Sequence, residues 1–184
     1  MSPFPTIDQA WQWHRATKDG LASLKSYLGQ PSSRWNMSDA TLDDIFGMTE
    51  AEWQGYYERK LDQHELFSVL ALFEACEGGF RRDLSWRGQR HHRQKHHARF
   101  RKLLDSQRSN DHLAMAVILD QWIVAEKSKP WLRKLLMKLK VLFQARNELA
   151  HGRTGESADF DVVFSQLDSI RQKWRDAVED FRGY

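Results

Sequence analysis

The sequence predicts an all-α protein, a bundle of five to six helices that are mostly antiparallel. Only four Pro and ten Gly interrupt the 184 residues, and long stretches consist of the helix-favouring residues Leu, Ala, Glu, Gln, Lys and Arg. No segment alternates like a half-buried strand, and 41% of the residues are apolar, enough for a core. We expect one helical domain (1–184), made of an N-terminal extension (1–45) and a core (46–184) that contains a basic, His-rich insert (84–97).

Start and stop signals divide the chain into these helices. Gly29 and Pro31 end the first one, and Thr49 with Glu52 forms a capping box that opens a long one. Pro130 suits the first turn of a helix. The predicted helices are Ile7 to Leu28, Glu50 to Asp83, a helix that begins by Lys95, Ser109 to Glu126, Pro130 to a stop at Gly152, and Asp159 to Phe181. Between the first two, Thr41 to Phe46 is a short turn or helix.

The helix that begins at Pro130 changes character near its end. Its apolar stripe consists of Leu132, Leu135, Leu136, Leu139, Leu142 and Phe143. The next positions on that face are Arg146 and Asn147, followed by Ala150 and His151. Burying an unpaired charge costs on the order of several kcal/mol, which is comparable to the free energy gained by burying a whole apolar side chain. The pattern therefore indicates either a structural ion pair or a functional site.

A purely structural interpretation is available for both charged residues. Glu74 and Glu77 intrude on the apolar stripe of the long helix that precedes the basic insert, so either could pair with Arg146, and we expect Glu77 to do so. His151 could cap the C-terminus of its helix, where a cationic side chain meets the negative end of the helix dipole.

The hexapeptide Arg146 to His151, RNELAH, is an Arg-x4-His motif with Asn147 directly after the arginine. It stands at the C-terminal end of a long helix in a helical chain. This resembles the HEPN superfamily of small helical bundles, many of which are metal-independent endoribonucleases. The resemblance implies that Arg146 and His151 are catalytic, that Asn147 supports them, and that residues 46–184 form a HEPN-like core. From their positions on the long helix, Glu74 or Glu77 is the candidate supporting residue that orients Arg146.

The residue types suit RNA cleavage by attack of the 2′-OH. A histidine can accept or donate a proton near neutral pH, and an arginine fork fits two phosphate oxygens. No metal and no other cofactor is required. The reaction needs two proton transfers, and one Arg-x4-His motif supplies only one histidine. HEPN domains typically pair, so the resemblance implies a homodimer in which two Arg-x4-His faces meet. It also implies a toxin or antiviral effector held by an antitoxin or another regulatory protein.

A basic segment from Arg81 to Lys102 contains nine Lys/Arg and one acidic residue, a formal charge of +8, together with four histidines. Such a segment suits RNA phosphates, although a merely solvated face is the alternative. His92 and His96 are spaced for one metal ion, but no third ligand follows, so no metal site is predicted. The candidate RNA contacts are Arg87, Arg90, Arg93, Lys95 and Arg99.

Three features of the sequence indicate where the protein is located. No apolar run is long enough to cross a membrane, no secretion signal is visible at the N-terminus, and the single Cys76 favours a reducing cytoplasm. Together with the resemblance, these features lead us to expect a HEPN-type endoribonuclease that acts in the cytoplasm. The alternative is a non-catalytic HEPN-like module that binds RNA or a protein through the basic segment.

Overall fold

The computed structural model describes residues 5–26, 37–89, 97–107, 113–152 and 159–183. Within these ranges the chain forms seven α-helices and no strand, so the predicted all-α class is confirmed, with one or two more helices than expected. The helices are α1 (Ile7–Lys25), α2 (Asp39–Ile45), α3 (Glu50–Arg87), α4 (His97–Gln107), α5 (Met115–Ala125), α6 (Pro130–Ala150) and α7 (Phe160–Ala177).

The helix ends follow the predicted signals closely. At the start of α3 the Thr49 hydroxyl accepts from the Glu52 amide at 3.3 Å, and the Glu52 carboxylate accepts from the Thr49 amide at 2.8 Å. This is the predicted capping box. Pro130 opens α6, and Gly152 follows its end with a φ of 63°, a left-handed conformation that glycine adopts without strain.

The long helix α3 is the element around which the others pack. It runs for 38 residues without a break and contacts α1, α4, α5, α6 and α7. It extends one turn past the predicted end at Asp83, because Asp83 and Arg87 bond to each other at helical spacing inside the core. Residues 84–87 of the basic insert therefore belong to α3, and Leu84 and Arg87 among them are buried.

Large aromatic side chains fill the core beside α3. The rings of Trp122 and Trp174 meet edge to face at 4.9 Å, and Phe80, Phe100 and Phe181 pack against one or both of them. Aromatic pairs of this geometry add to the free energy of burial. The stripe of α6 completes this core with Leu132, Leu136, Leu139 and Phe143.

The first helix belongs to the same core. Ile7 and Ala10 are buried in it, and α1 packs along α3. One turn later, buried His14 lies between two rings, with centroids 4.8 Å from His64 and 3.7 Å from Phe160. Burial lowers the pKa of His14, so its neutral form is favoured in the fold. Residues 7–25 are thus an integral part of the helical body.

A buried ionic cluster ties the C-terminal segment (residues 178–183) to α3. The Arg87 guanidinium, 1% exposed, donates from Nε to Asp83 Oδ2 and from Nη2 to Asp180 Oδ1, each at 2.7 Å. The Arg182 amide donates to Asp83 Oδ1 at 3.0 Å. The ring of Trp122 covers the guanidinium at 4.5 Å from its centroid. Arg87 and Asp180, which are 93 residues apart in the sequence, are thereby joined.

The charges of this cluster depend on one another. Burial alone would lower the pKa of Arg87, but the hydrogen bonds to Asp180 and Asp83 outweigh it and raise that pKa. Burial raises the pKa of Asp83 against the opposing effect of Arg87. A carboxylate and a guanidinium are stable here only as a pair, since either one alone would be a buried, uncompensated charge.

We expect Asp83→Ala to lower the free energy of unfolding by about 3 kcal/mol, because it leaves Arg87 desolvated with only one carboxylate. The measurement is urea unfolding followed by circular dichroism. Asp105→Ala, at an exposed position of α4, is the control and should change stability by less than about 0.5 kcal/mol. A loss no larger than that of the control would show that the cluster does not stabilise the fold.

Candidate functional site

Arg146 lies in the last turns of α6 and reaches across to α3. Its side chain is 23% exposed, and one end of the guanidinium, Nη2, bonds to the carboxylate of Glu74. The other end, Nη1, donates to Asn147 Oδ1 at 3.0 Å. The guanidinium is therefore held in a defined position, with its charge balanced by one carboxylate and oriented by an amide.

The expected pairing of Arg146 with Glu77 is wrong. Arg81, one turn farther along α3, donates from Nε to Glu77 Oε1 at 2.7 Å and bonds to the same oxygen through Nη2. Arg81 Nη2 also donates to the Leu113 carbonyl at 2.9 Å, which anchors the chain just before α5. The acid that contacts Arg146 is Glu74, which lies almost one turn earlier on α3.

His151 lies one turn beyond these residues, at the C-cap of α6. Its backbone amide donates to the Asn147 carbonyl at 3.1 Å, and its side chain is exposed. The structure thus brings Glu74, Arg146 and Asn147 together and leaves His151 at the open end of the helix.

Arg146 and Asn147 lie at the edge of a groove of about 820 Å³ between α5 and α6. Glu77 and Arg81 line it from α3, and Lys140, which bonds to Asp120 at 2.7 Å, lines it from α6. The apolar surface of the groove is formed by Leu113, Met115, Leu119, Ile123, Met137, Val141 and Phe143. His151 is not among the residues that line it. A groove with this lining can accept an apolar body together with an anionic group.

The same face carries apolar side chains that the helix pattern did not single out. Met137 is 51% exposed and Val141 64% exposed, one turn apart on α6. Val117 and Val124 are also exposed, on another face of α5, and neither lines the groove. Isolated exposed apolar residues are ordinary, but a set beside a groove marks an interaction surface. The sequence did contain a signal for this surface, because Met137 and Val141 are four residues apart on a face of α6 other than its buried stripe.

The structure divides the predicted RNA contacts of the basic segment. Arg87 is buried in the ionic cluster, so its prediction as an RNA contact is wrong. The reason is its position four residues after Asp83 on the core face of α3. Arg99 is exposed on α4 near Lys102, where it can meet solvent or a polyanion. Arg90, Arg93 and Lys95 lie outside the described residues, as do His92 and His96.

Comparisons of the chain with protein-family models, with curated proteins and with solved structures each found no match. The function of this site must therefore be inferred from its own chemistry.

In the described ranges, no three His, Cys, Asp or Glu side chains are grouped so as to hold a metal ion. In the same ranges, none of the helices combines the length and apolar character that crossing a bilayer requires.

A double-mutant cycle on Arg146 and Glu74 should give a coupling free energy below about 1 kcal/mol, because both side chains are partly exposed, at 23% and 43%. Arg146→Ala should therefore fold normally. The measurement is urea unfolding of the two single variants and the double variant. A loss of about 3 kcal/mol on Arg146→Ala alone, as for a buried pair, would assign Arg146 a structural role.

Proposed function

We propose that the chain is a metal-independent endoribonuclease of the HEPN type, with Arg146, Asn147 and His151 as its site. The observation that carries the proposal is the position of Arg146. A guanidinium on the packing face of α6, fixed by Glu74 and Asn147, opens onto a groove of about 820 Å³ instead of being enclosed in the core. A merely structural arginine, such as Arg87, is covered on all sides.

Arg146 binds the scissile phosphate in this proposal. Its planar guanidinium can donate to two non-bridging oxygens, and it stays charged at any working pH. Its bond to Glu74 keeps the plane of the guanidinium in place before substrate arrives. Asn147 bonds to the opposite edge, so the two neighbours orient the fork without enclosing it. As negative charge develops on the phosphorus oxygens, a pre-oriented cation stabilises it more strongly than water does.

His151 transfers the protons. One imidazole takes the proton of the 2′-OH, the 2′ oxygen attacks the phosphorus, and the bond from phosphorus to the 5′ oxygen breaks. A second, protonated imidazole gives its proton to the departing 5′ oxygen. The products are a 2′,3′-cyclic phosphate and a 5′-hydroxyl.

A second copy of the chain supplies the second histidine. The exposed apolar residues Met137 and Val141 lie beside the groove that Arg146 borders, and a two-fold pairing of this face would cover them in both copies. Such a pairing also brings two Arg-x4-His motifs to one cleft, as the resemblance implies. A toxin or antiviral role in the cytoplasm, under the control of an antitoxin or another regulatory protein, follows from the same resemblance.

A different function is favoured by one feature, the exposed His151 outside the groove. A non-catalytic module would bind RNA or a protein through basic side chains such as Arg99 and would not need His151. The two functions differ in whether the RNA is cut, so one experiment separates them.

Purified protein incubated with mixed RNAs in EDTA should yield fragments with 2′,3′-cyclic phosphate and 5′-hydroxyl ends. Arg146→Ala and His151→Ala should each lower the cleavage rate by at least about 100-fold, because each removes a group that acts in the transition state. Lys138→Ala and Glu148→Ala, at exposed positions of α6, are the controls and should keep full activity.

Two outcomes would contradict the enzyme proposal. RNA that is bound but never cut would support the binding module, and cleavage that persists in both Ala variants would place the activity elsewhere in the sample.

The pairing of two copies can be tested separately. Val141→Glu should convert a dimer into a monomer, measured by analytical ultracentrifugation at micromolar concentration, because it buries a charge in each half of the interface. Cleavage should fall by at least about tenfold with it. Val162→Glu is the matched control, since Val162 is 52% exposed on α7. A wild-type monomer that is fully active would show that one copy suffices.

A further inference from the structure

A second recess lies on another part of the molecule. It has a volume of about 270 Å³ and is bounded by the start of α1, by α3, α6 and α7, and by the C-terminal segment. A dry cavity of about 150 Å³ is enough to hold benzene in another protein, so this one has room for an aromatic ring with a short substituent. No residue lines both this cavity and the groove beside Arg146. An inference about its ligand is therefore independent of the proposed nuclease.

The wall of this cavity is mainly apolar. Three helices contribute buried side chains to it, among them Phe80, Leu139, Leu167 and Ile170. Cys76 also lines it, and burial raises the pKa of its thiol to about 12. Such a shift means that the surroundings of the thiol oppose the formation of a charge. The wall therefore suits a hydrocarbon or aromatic body and disfavours a charged one.

The charged side chains of the lining are bonded within the protein or exposed to water. Arg171 donates to the two carboxylate oxygens of Asp8 at 2.7 and 2.9 Å. Arg82 donates from Nη2 to the Gly183 carbonyl at 2.9 Å. Arg175 is exposed on α7, where it stays hydrated. A ligand inside the cavity therefore meets mainly the apolar wall.

One polar group of the buried wall lacks a partner. Trp174 is 1% exposed and lines the cavity, and its indole Nε1 has no hydrogen-bond acceptor among the described residues. Trp53 and Trp122 carry similarly unpartnered indole N–H groups, but neither lines the cavity. A buried donor without an acceptor is unfavourable, so a ligand that brings an acceptor to Trp174 removes that cost.

We propose that this cavity binds a small neutral molecule with one hydrogen-bond acceptor, such as an aromatic ketone, its body against the apolar wall and its acceptor on the indole N–H of Trp174. A pure hydrocarbon would leave that N–H unpaired. A carboxylate would lose its hydration, and one N–H does not compensate for the burial of a full charge. A sugar would bring more hydroxyls than the wall can bond. The apolar wall and the single donor together select the body and the acceptor of the ligand.

The test uses the full chain and two probes of nearly the same shape, acetophenone and α-methylstyrene, in which a C=O group is replaced by C=CH2. Titration of the ¹⁵N-labelled protein, followed by the indole N–H signals of its eight Trp, gives both affinities. The signal of Trp174 is the one that disappears in Trp174→Phe. Acetophenone should move the proton of this signal to lower field, because a hydrogen bond forms, and α-methylstyrene should bind without that shift.

Trp174→Phe should weaken acetophenone relative to α-methylstyrene by about fivefold, the change that one neutral hydrogen bond typically gives. The two probes are compared within each variant, so a general loss of stability does not change the ratio. Trp53→Phe is the matched control, because it removes an equally unpartnered indole N–H at a residue that is 3% exposed and lies outside the cavity. It should leave the ratio unchanged.

Two further measurements test the position and the charge of the ligand. Cys76→Leu, which fills part of the cavity, should weaken both probes at least about fivefold. Benzoate, a charged analogue of acetophenone, should bind at least about tenfold more weakly than acetophenone. No binding of acetophenone, an equal effect of Trp53→Phe on the ratio, unchanged affinities in Cys76→Leu, or tighter binding of benzoate would each overturn the proposal.

Discussion

The buried guanidinium of Arg87 is the interaction on which the rest of the structure depends. It joins Asp83 on α3 to Asp180 in the C-terminal segment, and Trp122 of α5 covers it. Through these contacts one cation connects three parts of the chain that no short-range pattern relates. The bond between Arg87 and Asp83 also extends α3 by one turn beyond Asp83. The aromatic core adjoins this cluster, because Trp122 contacts Phe100 and Trp174 as well as the guanidinium.

Two arginines sit at anomalous positions of this fold, and their surroundings give them opposite characters. Arg87 is enclosed, with two carboxylates and an aromatic ring, so its charge is used entirely within the protein. Arg146 has one carboxylate and one amide oxygen and borders open space. The side chain of Arg87 is 2% exposed and that of Arg146 is 23% exposed, and this difference separates a structural ion pair from a candidate binding group. A charged residue on the apolar face of a helix can therefore be assigned a structural or a binding role only when its surroundings are known.

In the proposed nuclease, the cations Arg81 and Arg146 from the neighbouring helices α3 and α6 line an apolar groove, where a low local dielectric strengthens their attraction for an anion. The recess beside Arg146 is wide and carries exposed apolar side chains around it, which suits a macromolecular surface.

Local pattern in the sequence determined the helical class, the capping box at Thr49, the start of α6 at Pro130 and its end before Gly152, and the presence of Arg146 on the packing face of α6. These features depend on neighbours within about four residues, which the spacing of a helix relates directly. Only the tertiary structure decided that Glu74 and not Glu77 contacts Arg146, that Arg87 is buried, and that His151 lies outside the groove. Those outcomes depend on how each helix is rotated and shifted against the next. Helical spacing leaves that rotation open, because several faces of α3 carry both apolar and charged residues.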